Sequence, residues 1–266
     1  MIRFEDLLHP TPSGLYCPPG DFYIDPVVPV DRAVVTHGHA DHARSGHGTV
    51  LATPQTLAIM GERYGLDFTG QRQSLAYGET VSHQGVSITL YPAGHVLGSA
   101  QALIEWKGLR MVVSGDYKRR RDPTCAGFEP VPCDVFISEA TFGLPVFVHP
   151  PDKEEIGRLV HSLEQFPERA HLVGAYALGK AQRVIRLLRE AGWERPIYVH
   201  GALERLNRLY EAEGVALGPI LPATGLKANA LGGEVVVAPP SATQDRWARR
   251  FADPVLAFAS GWMGVR

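Results

Sequence analysis

The chain has 266 residues, 45% of them hydrophobic and 20% charged, which is typical of a water-soluble globular protein that buries a substantial core. Its net charge of -2 at pH 7 gives no overall attraction for nucleic acid, so any such partner must bind a local basic patch. The three cysteines form no C-x-x-C pair, and neither a signal peptide nor a membrane-spanning apolar run is visible, so we expect a reduced, cytoplasmic setting without membrane contact.

The first half of the chain is predicted to consist of short strands joined by loops. Runs rich in β-formers are bounded by Gly, Pro, Asp or Ser residues. One helix is predicted over 54–65, because Pro54 stands at its start and Gly65 at its end. The strands are predicted over 33–36, 86–91, 101–106, 110–114 and 134–138.

The second half has a different pattern, which begins near residues 144–155. An amphipathic helix starts there, and Asp152, Glu154 and Glu155 in its first turn favour the helix dipole. Strands and helices alternate from that point, and this alternation predicts a parallel sheet with helices on its faces. Further strands are predicted over 171–176, 196–200, 234–238 and 254–260, and further helices over 180–192 and 202–214.

The densest cluster of chemically active residues is "VVTHGHADHA", residues 34–43. His37 and His39 are two positions apart, so in an extended segment both imidazoles face one side and can reach one ion. Asp41 and His42 follow as the chain turns, and they would supply ligands for a second ion. Imidazole and carboxylate ligands suit zinc, manganese or iron. A polar loop with surface histidines is the alternative, but H-x-H-x-D-H is far more specific than a short glycine motif.

Two further candidates lie where predicted strands end. His95 lies in a Gly-flanked turn between two strands, and Asp116 follows an apolar strand, where a carboxylate could bridge two ions. Taken alone, a loop histidine is usually solvated and an aspartate after a strand usually forms a turn. Their order after the first cluster favours the metal-binding interpretation.

The motifs H-x-H-x-D-H, G-H-x-x-G-S-A, S-G-D-Y and "ISEATFG" occur here in that order. This series resembles the successive motifs of the metallo-β-lactamase superfamily, and the Glu139 motif resembles that of its β-CASP nuclease branch. The segment "GAYALGKAQ", residues 174–182, is similar to a strand–turn–helix of the branch's cap domain. Within the branch, "THGHADHARSGHG", the segment 115–145 and "SGWM" are most similar to the bacterial ligase-associated DNA exonucleases.

The resemblance implies an α/β fold, namely a metallo-β-lactamase αβ/βα sandwich with an inserted β-CASP-like α/β cap. We expect residues 1–146 to form the sandwich core and residues 147–266 to form the cap. The family continues past its cap with an Asp-His-Ala-Asp and a Thr-His-Gly motif, which this sequence lacks. We therefore expect the completing part of the core to be absent from this chain, and we favour a chain cut short over a naturally short one, because an unfinished sheet leaves an unpaired edge.

Residue by residue, the resemblance implies two divalent ions, zinc or manganese. One would be bound by His37, His39 and His95 and the other by Asp41 and His42, with Asp116 between them. Glu139 would orient a ligand or relay a proton, so Asp41 and Glu139 are the expected catalytic residues.

Basic residues near the cluster are candidates for binding phosphate. Lys118 and Arg119 lie two and three positions after Asp116, and Arg44 follows the histidine cluster. Lys180, at the start of a predicted cap helix, would add charge to amide groups that favour an anion. The alternative is that these charges only solvate the surface.

Together these expectations favour a metal-dependent nuclease that hydrolyses phosphodiester bonds of DNA. We predict a single-strand exonuclease in DNA repair, acting on single strands or ends, with a functional link to a DNA ligase. An RNA-processing nuclease of the same branch is one alternative, since a contact to the 2′-hydroxyl has no readable motif. A non-catalytic nucleic-acid-binding module is the other.

Overall fold

A computed structural model of the chain describes residues 3–264, with only the backbone at residues 228, 229 and 264. The chain forms two compact units, Met1–Glu139 (unit 1) and Ala140–Arg266 (unit 2). The division follows Glu139, whereas the predicted domain boundary follows residue 146. Both units combine helices with sheets, so the predicted α/β class is confirmed.

The first sheet of unit 1 has six strands in chain order. Its first three strands pair antiparallel through tight turns, and the last four are parallel neighbours. Helix α1, Pro54–Tyr64, connects the fifth strand to the sixth. The strands are β1 His9–Thr11, β2 Gly14–Cys17, β3 Phe22–Ile24, β4 Arg32–Val34, β5 His47–Ala52 and β6 Thr69–Ser74.

The second sheet of unit 1 has five strands in the order β11-β10-β9-β8-β7. Antiparallel pairing dominates, and only β10 and β11 are parallel. Two-residue turns at Gln84–Gly85 and Lys107–Gly108 have positive φ at both positions, which is the geometry that matches the twist of a hairpin. The strands are β7 Thr80–His83, β8 Val86–Pro92, β9 Ala100–Trp106, β10 Leu109–Val113 and β11 Val135–Ile137.

The core of unit 1 lies between its two sheets. Buried side chains from the first sheet, such as Phe22 and Leu51, cluster with Ile88, Ile104 and Met111 from the second. The opposite face of the first sheet packs against α1, where Val35 and Val50 join Leu57 and Met60. The described part of unit 1 is therefore layered as helix, sheet and sheet. Strands β4 and β5 are therefore covered on both faces: Val34 and Leu51 point into the core between the sheets, and Ala33 and Val50 point toward α1.

Unit 2 contains a five-stranded, wholly parallel sheet in the order β14-β13-β15-β12-β16. Its central strands are buried along their length, as expected when helices cover both faces. The predicted parallel sheet of the second half is therefore confirmed. The elements are α2 Asp152–Gln165, β12 His171–Gly174, α3 Lys180–Glu190, β13 Ile197–Val199, α4 Gly201–Ala212, β14 Ile220–Pro222, β15 Val235–Ala238 and β16 Val255–Phe258.

Each helix and strand predicted from the sequence is present in the described part of the chain, with ends that shift by a few residues. The strands β1, β2, β3, β5, β6, β7 and β14 were not predicted. Across residues 3–264, no helix combines the length and apolarity needed to cross a bilayer.

Candidate metal centre

The candidate metal centre consists of the six predicted ligands, and it forms where strands of unit 1 end. His37 follows β4, His95 follows β8, and Asp116 follows β10. Strands β8 and β10 run in the same direction because each is antiparallel to β9. The chain therefore delivers these side chains from carboxyl ends of strands, where loops bring residues distant in sequence together.

Three imidazoles and one carboxylate converge on a single point. The ring atom Nδ1 of His39 lies 3.0 Å from Nε2 of His37 and 3.1 Å from Nε2 of His95. Oδ2 of Asp116 lies 3.8 Å from His37 Nε2 and 3.6 Å from His95 Nε2. The ligand atoms of these four residues all lie within 4.8 Å of one another. Three nitrogens and one oxygen at this spacing suit a transition-metal ion.

The second oxygen of Asp116 faces a different pair of side chains. Oδ1 lies 3.5 Å from Nε2 of His42, and the same nitrogen lies 3.8 Å from Oδ2 of Asp41. The Asp41 side chain is 78% exposed, so this end of the centre opens to solvent. Asp116 thus presents one oxygen to each ligand set, which is the arrangement that a carboxylate needs to bridge two ions.

Asp25, just after β3, fixes the orientation of two of the imidazoles. Its carboxylate accepts hydrogen bonds from the backbone N–H of Thr36 (2.8 Å), the hydroxyl of Thr36 (2.6 Å) and Nδ1 of His42 (2.8 Å). Because the Thr36 hydroxyl donates to Asp25, its oxygen accepts from Nδ1 of His37 at 3.1 Å. Nε2 of His37 and Nε2 of His42 are then the nitrogens left to face the ligand sets, as a metal site requires.

The pKa shifts in the centre follow from burial and neighbouring charges. Burial lowers the pKa of His37 well below its usual range, and the nearby His42, His39 and His95 lower it further. Burial alone would lower the pKa of His42, but the hydrogen bond and charge of Asp25, with Asp116 and Asp41, raise it to about 9. Burial raises the pKa of Asp116; His42 opposes this shift, and Glu139 adds to it. Carboxylates thus concentrate negative charge where a divalent cation would sit.

The glycine of the S-G-D motif, Gly115, packs closely against Thr36, the residue before His37. Gly115 has a φ of +54°, and a Cβ at this position would lie 2.7 Å from Oγ1 of Thr36. Only glycine allows the chain after β10 to approach Thr36 this closely while Asp116 turns inward.

The structure brings the six predicted metal ligands together, and their role as ligands stays a prediction. Glu139, predicted to be catalytic, follows β11, and its backbone N–H donates to Oγ of Ser114 at 3.3 Å. The negative charge of Glu139 raises the pKa of Asp116, so Glu139 lies close to the predicted ligands.

The predicted phosphate-binding residues of unit 1 differ in their surroundings. Arg44 and Arg119 are exposed. Lys118 instead forms an ion pair with Asp122, a buried residue whose other oxygen accepts hydrogen bonds from the backbone and hydroxyl of Thr124. Lys118 therefore has a partner within unit 1, and phosphate binding by these three residues stays a prediction.

Lys180 lies in unit 2 as the first residue of α3. The amide groups at this helix start are already hydrogen-bonded: Gly179 N–H donates to Oε1 of Gln182 at 2.8 Å, and Ala181 N–H donates to Tyr176 O at 3.0 Å. The N–H of Lys180 itself donates to Leu178 O at 3.0 Å. These three N–H groups therefore already have partners in the turn before α3, whereas the sequence analysis expected such groups to be open to an anion.

The sequence analysis missed Asp25. The available signal was an aspartate directly after a short apolar segment, "FYID", but aspartates at strand ends are usually turn formers. Asp25 has a φ of +45°, a conformation that aspartate tolerates better than most residues.

The donor set is suited to divalent cations such as zinc or manganese. Neutral imidazole nitrogens and ionised carboxylates are the ligands that these ions prefer. His37 fits this requirement because it is buried, has a lowered pKa and directs an unprotonated Nε2 toward the other ligands.

No family model matches the chain, but comparison with known proteins finds relatives along most of its length. A protein of Opitutus terrae described as a probable DNA ligase is 30% identical over 253 residues, covering 94% of this chain and 24% of that protein. Cleavage and polyadenylation specificity factor subunit 3 of Dictyostelium discoideum is 32% identical over 224 residues, covering 71% of this chain and 29% of that protein.

A third relative is endoribonuclease YSH1 of Gibberella zeae, which is 31% identical over 241 residues. This match covers 74% of this chain and 28% of the endoribonuclease. The chain thus spans between 24% and 29% of the length of these three relatives.

Proposed function

Because the chain belongs to the β-CASP branch of the metallo-β-lactamase superfamily, we propose that it is a metal-dependent nuclease that hydrolyses phosphodiester bonds of DNA. The observation that carries this proposal is Asp116, whose two carboxylate oxygens face two separate ligand sets. A pair of cations so held is suited to in-line displacement at phosphorus.

The chemistry divides between bound ions and the chain's own residues. Divalent cations, zinc or manganese, would supply Lewis-acid polarisation of the phosphodiester and would make a water molecule more acidic. Asp41, at the solvent-exposed end of the centre, would accept a proton from the attacking water through its carboxylate. Glu139 would relay a proton beside Asp116, and its backbone N–H, which donates to Oγ of Ser114, keeps the end of β11 next to the end of β10. The exposed Arg44 and Arg119 would bind flanking phosphates.

The choice of DNA over RNA rests on the relatives. The Opitutus terrae match covers 94% of this chain, and that protein is described as a probable DNA ligase, which supports DNA as substrate and a functional link to DNA joining. We propose digestion of single strands or ends in DNA repair. RNA is the second candidate, because other relatives are described as endoribonucleases.

The test is hydrolysis of matched single-stranded DNA and RNA oligonucleotides with Mn²⁺ or Zn²⁺. We expect the DNA strand to be shortened from an end, and we expect EDTA or Asp116→Ala to abolish the reaction. Asp67→Ala is the matched control, because Asp67 is an exposed carboxylate in the loop between α1 and β6. It should retain full activity.

Each outcome separates the candidates. Faster cleavage of RNA would replace DNA by RNA as the substrate. Tight oligonucleotide binding without cleavage would favour the non-catalytic module. Cleavage that persists in Asp116→Ala would refute the proposed centre.

A further inference from the structure

Helix α1 contributes no predicted metal ligand, yet both of its ends are bonded to loops that carry ligands. The metal loop, residues 37–43, contains His37, His39 and His42, and the His95 loop consists of residues 93–99. Residues at the start of α1 bond to the His95 loop, and residues at its end bond to the metal loop.

At the start of α1, two hydroxyl groups hold one carbonyl of the His95 loop. Oγ1 of Thr53 donates to Gly98 O at 2.7 Å, and Oγ1 of Thr56 donates to the same oxygen at 3.0 Å. Both threonines are buried, and Thr53 also caps the helix by accepting from the N–H of Thr56. Gly98 has a φ of +75°, and a Cβ there would lie 2.8 Å from Thr53 Oγ1. This end of the loop therefore lies directly on the helix.

The next residue, Ser99, connects Gly98 to the backbone around His95. Oγ of Ser99 accepts hydrogen bonds from the backbone N–H of His95 at 3.0 Å and of Val96 at 3.1 Å. The chain that bears His95 is thus linked to α1 through Gly98 and Ser99.

At the end of α1, two consecutive residues hold the metal loop. Nη1 of Arg63 donates to Gly38 O at 2.5 Å, and the hydroxyl of Tyr64 donates to Ala43 O at 2.8 Å. Gly38 lies between His37 and His39, and Ala43 directly follows His42. The two bonds therefore fasten both ends of the ligand-bearing segment.

The helix between these attachments is a rigid spacer. Its 11 residues span about 16 Å at 1.5 Å per residue. Leu57, Ile59 and Met60 bury its inner face, so it cannot shift without disturbing the core.

We propose that α1 is a positioning element, which sets the distance between the His95 loop and the metal loop and so fixes the affinity and geometry of the centre. The inference rests on the metal-binding part of the proposed function. It assigns a role to Arg63 and Tyr64, which are not among the predicted metal ligands or phosphate-binding residues.

The test measures Co²⁺ binding by titration and by the visible absorption spectrum, which reports the coordination geometry without any nuclease assay. We expect Arg63→Ala to weaken Co²⁺ binding about tenfold or more, as loss of groups that orient ligands commonly does, and to alter the spectrum. Tyr64→Phe removes only a hydroxyl and should have a smaller effect in the same direction. Arg63→Lys keeps a donor near Gly38 O and should restore part of the affinity.

Matched controls separate positioning from a general loss of stability. Arg72→Ala removes an exposed arginine of β6 whose guanidinium contacts the Phe68 ring, and Tyr16→Phe removes a hydroxyl that bonds Asp21 at 2.8 Å. Both should bind Co²⁺ as the parent chain does. Melting temperatures of all variants without metal show whether the fold is retained.

Wild-type affinity and spectrum in a folded Arg63→Ala chain would overturn the inference. If the parent chain itself bound no Co²⁺, the metal centre and the inference would both fail. Normal Co²⁺ binding without nuclease activity would instead refute only the proposed reaction.

Discussion

The carboxylate of Asp25 fixes the orientation of two imidazoles in the candidate metal centre. It bonds His42 directly at 2.8 Å and acts on His37 through the hydroxyl of Thr36. Both rings then direct Nε2 toward the ligand sets. Partners of this kind raise the basicity of a ligating imidazole and select its tautomer.

We therefore predict that Asp25→Asn weakens metal binding without unfolding the protein. Asparagine has one acceptor oxygen in place of two, and an NH₂ group in the place of Oδ2 would face the Thr36 hydroxyl and Nδ1 of His42, which are both donors. Affinity for Mn²⁺ or Zn²⁺ should fall roughly 10- to 100-fold in calorimetric titration. Asp21→Asn is the control, since the carboxylate of Asp21 accepts a hydrogen bond from the hydroxyl of Tyr16 and is not bonded to the histidine loop. Equal affinities in the two variants would contradict the role of Asp25.

At the scale of single elements, α2 offers a direct test of helix energetics. Gly157 is exposed inside this 14-residue helix, and a Cβ at this position meets nothing within 4 Å. Gly157→Ala should raise the free energy of unfolding by about 1 kcal/mol, because alanine restricts the unfolded chain and adds no clash. Urea denaturation followed by circular dichroism measures the change.

The matched control is the same glycine-to-alanine substitution at a position where it should lower the free energy of unfolding. Gly192, just after α3, also has open space around a Cβ, but its φ is +88°. Gly192→Ala should destabilise the protein by about 1 kcal/mol, because only the backbone conformation opposes the new methyl group. If both substitutions lowered the free energy of unfolding, packing rather than backbone freedom would determine the effect of Gly157→Ala in α2.

Continuous apolar runs such as β15 were predictable from sequence, whereas β5, which is buried but begins with His, Gly and Thr, and the polar edge strands were not. Strand β15, Val235–Ala238, is buried at every position and reads as an apolar run. Strand β6, Thr69–Ser74, is polar and largely exposed, and it owes its conformation to its ladder with β5. Strand β1 has three residues and includes Pro10. Such edge strands carry weak local signals because the neighbouring strand supplies their stability.

For the whole molecule, the convergence of the predicted ligands was easier to predict from sequence than the residues that hold them in place. His37, His39, Asp41 and His42 lie so close together in sequence that their density alone indicates a metal site. His95 and Asp116 were predicted as ligands from the order of the motifs, because a single residue at a strand end has no specific meaning by itself. Asp25 and Arg63 act through bonds to residues 11 and 25 positions away, so only the fold reveals them.

Because the ligands come from separate loops of unit 1, metal binding should also stabilise the folded chain. A ligand that binds only the native state adds RT ln(1 + [L]/Kd), which is about 2.7 kcal/mol at 100 times Kd. For a chain of this size that corresponds to a rise of roughly 5–10 °C in melting temperature. Thermal unfolding with Mn²⁺ or Zn²⁺ and with EDTA should show this difference. Asp116→Ala removes the carboxylate shared by both ligand sets and should abolish it, whereas Asp67→Ala should leave it intact. An equal rise in both variants would mean that the metal stabilises the protein from somewhere other than this centre.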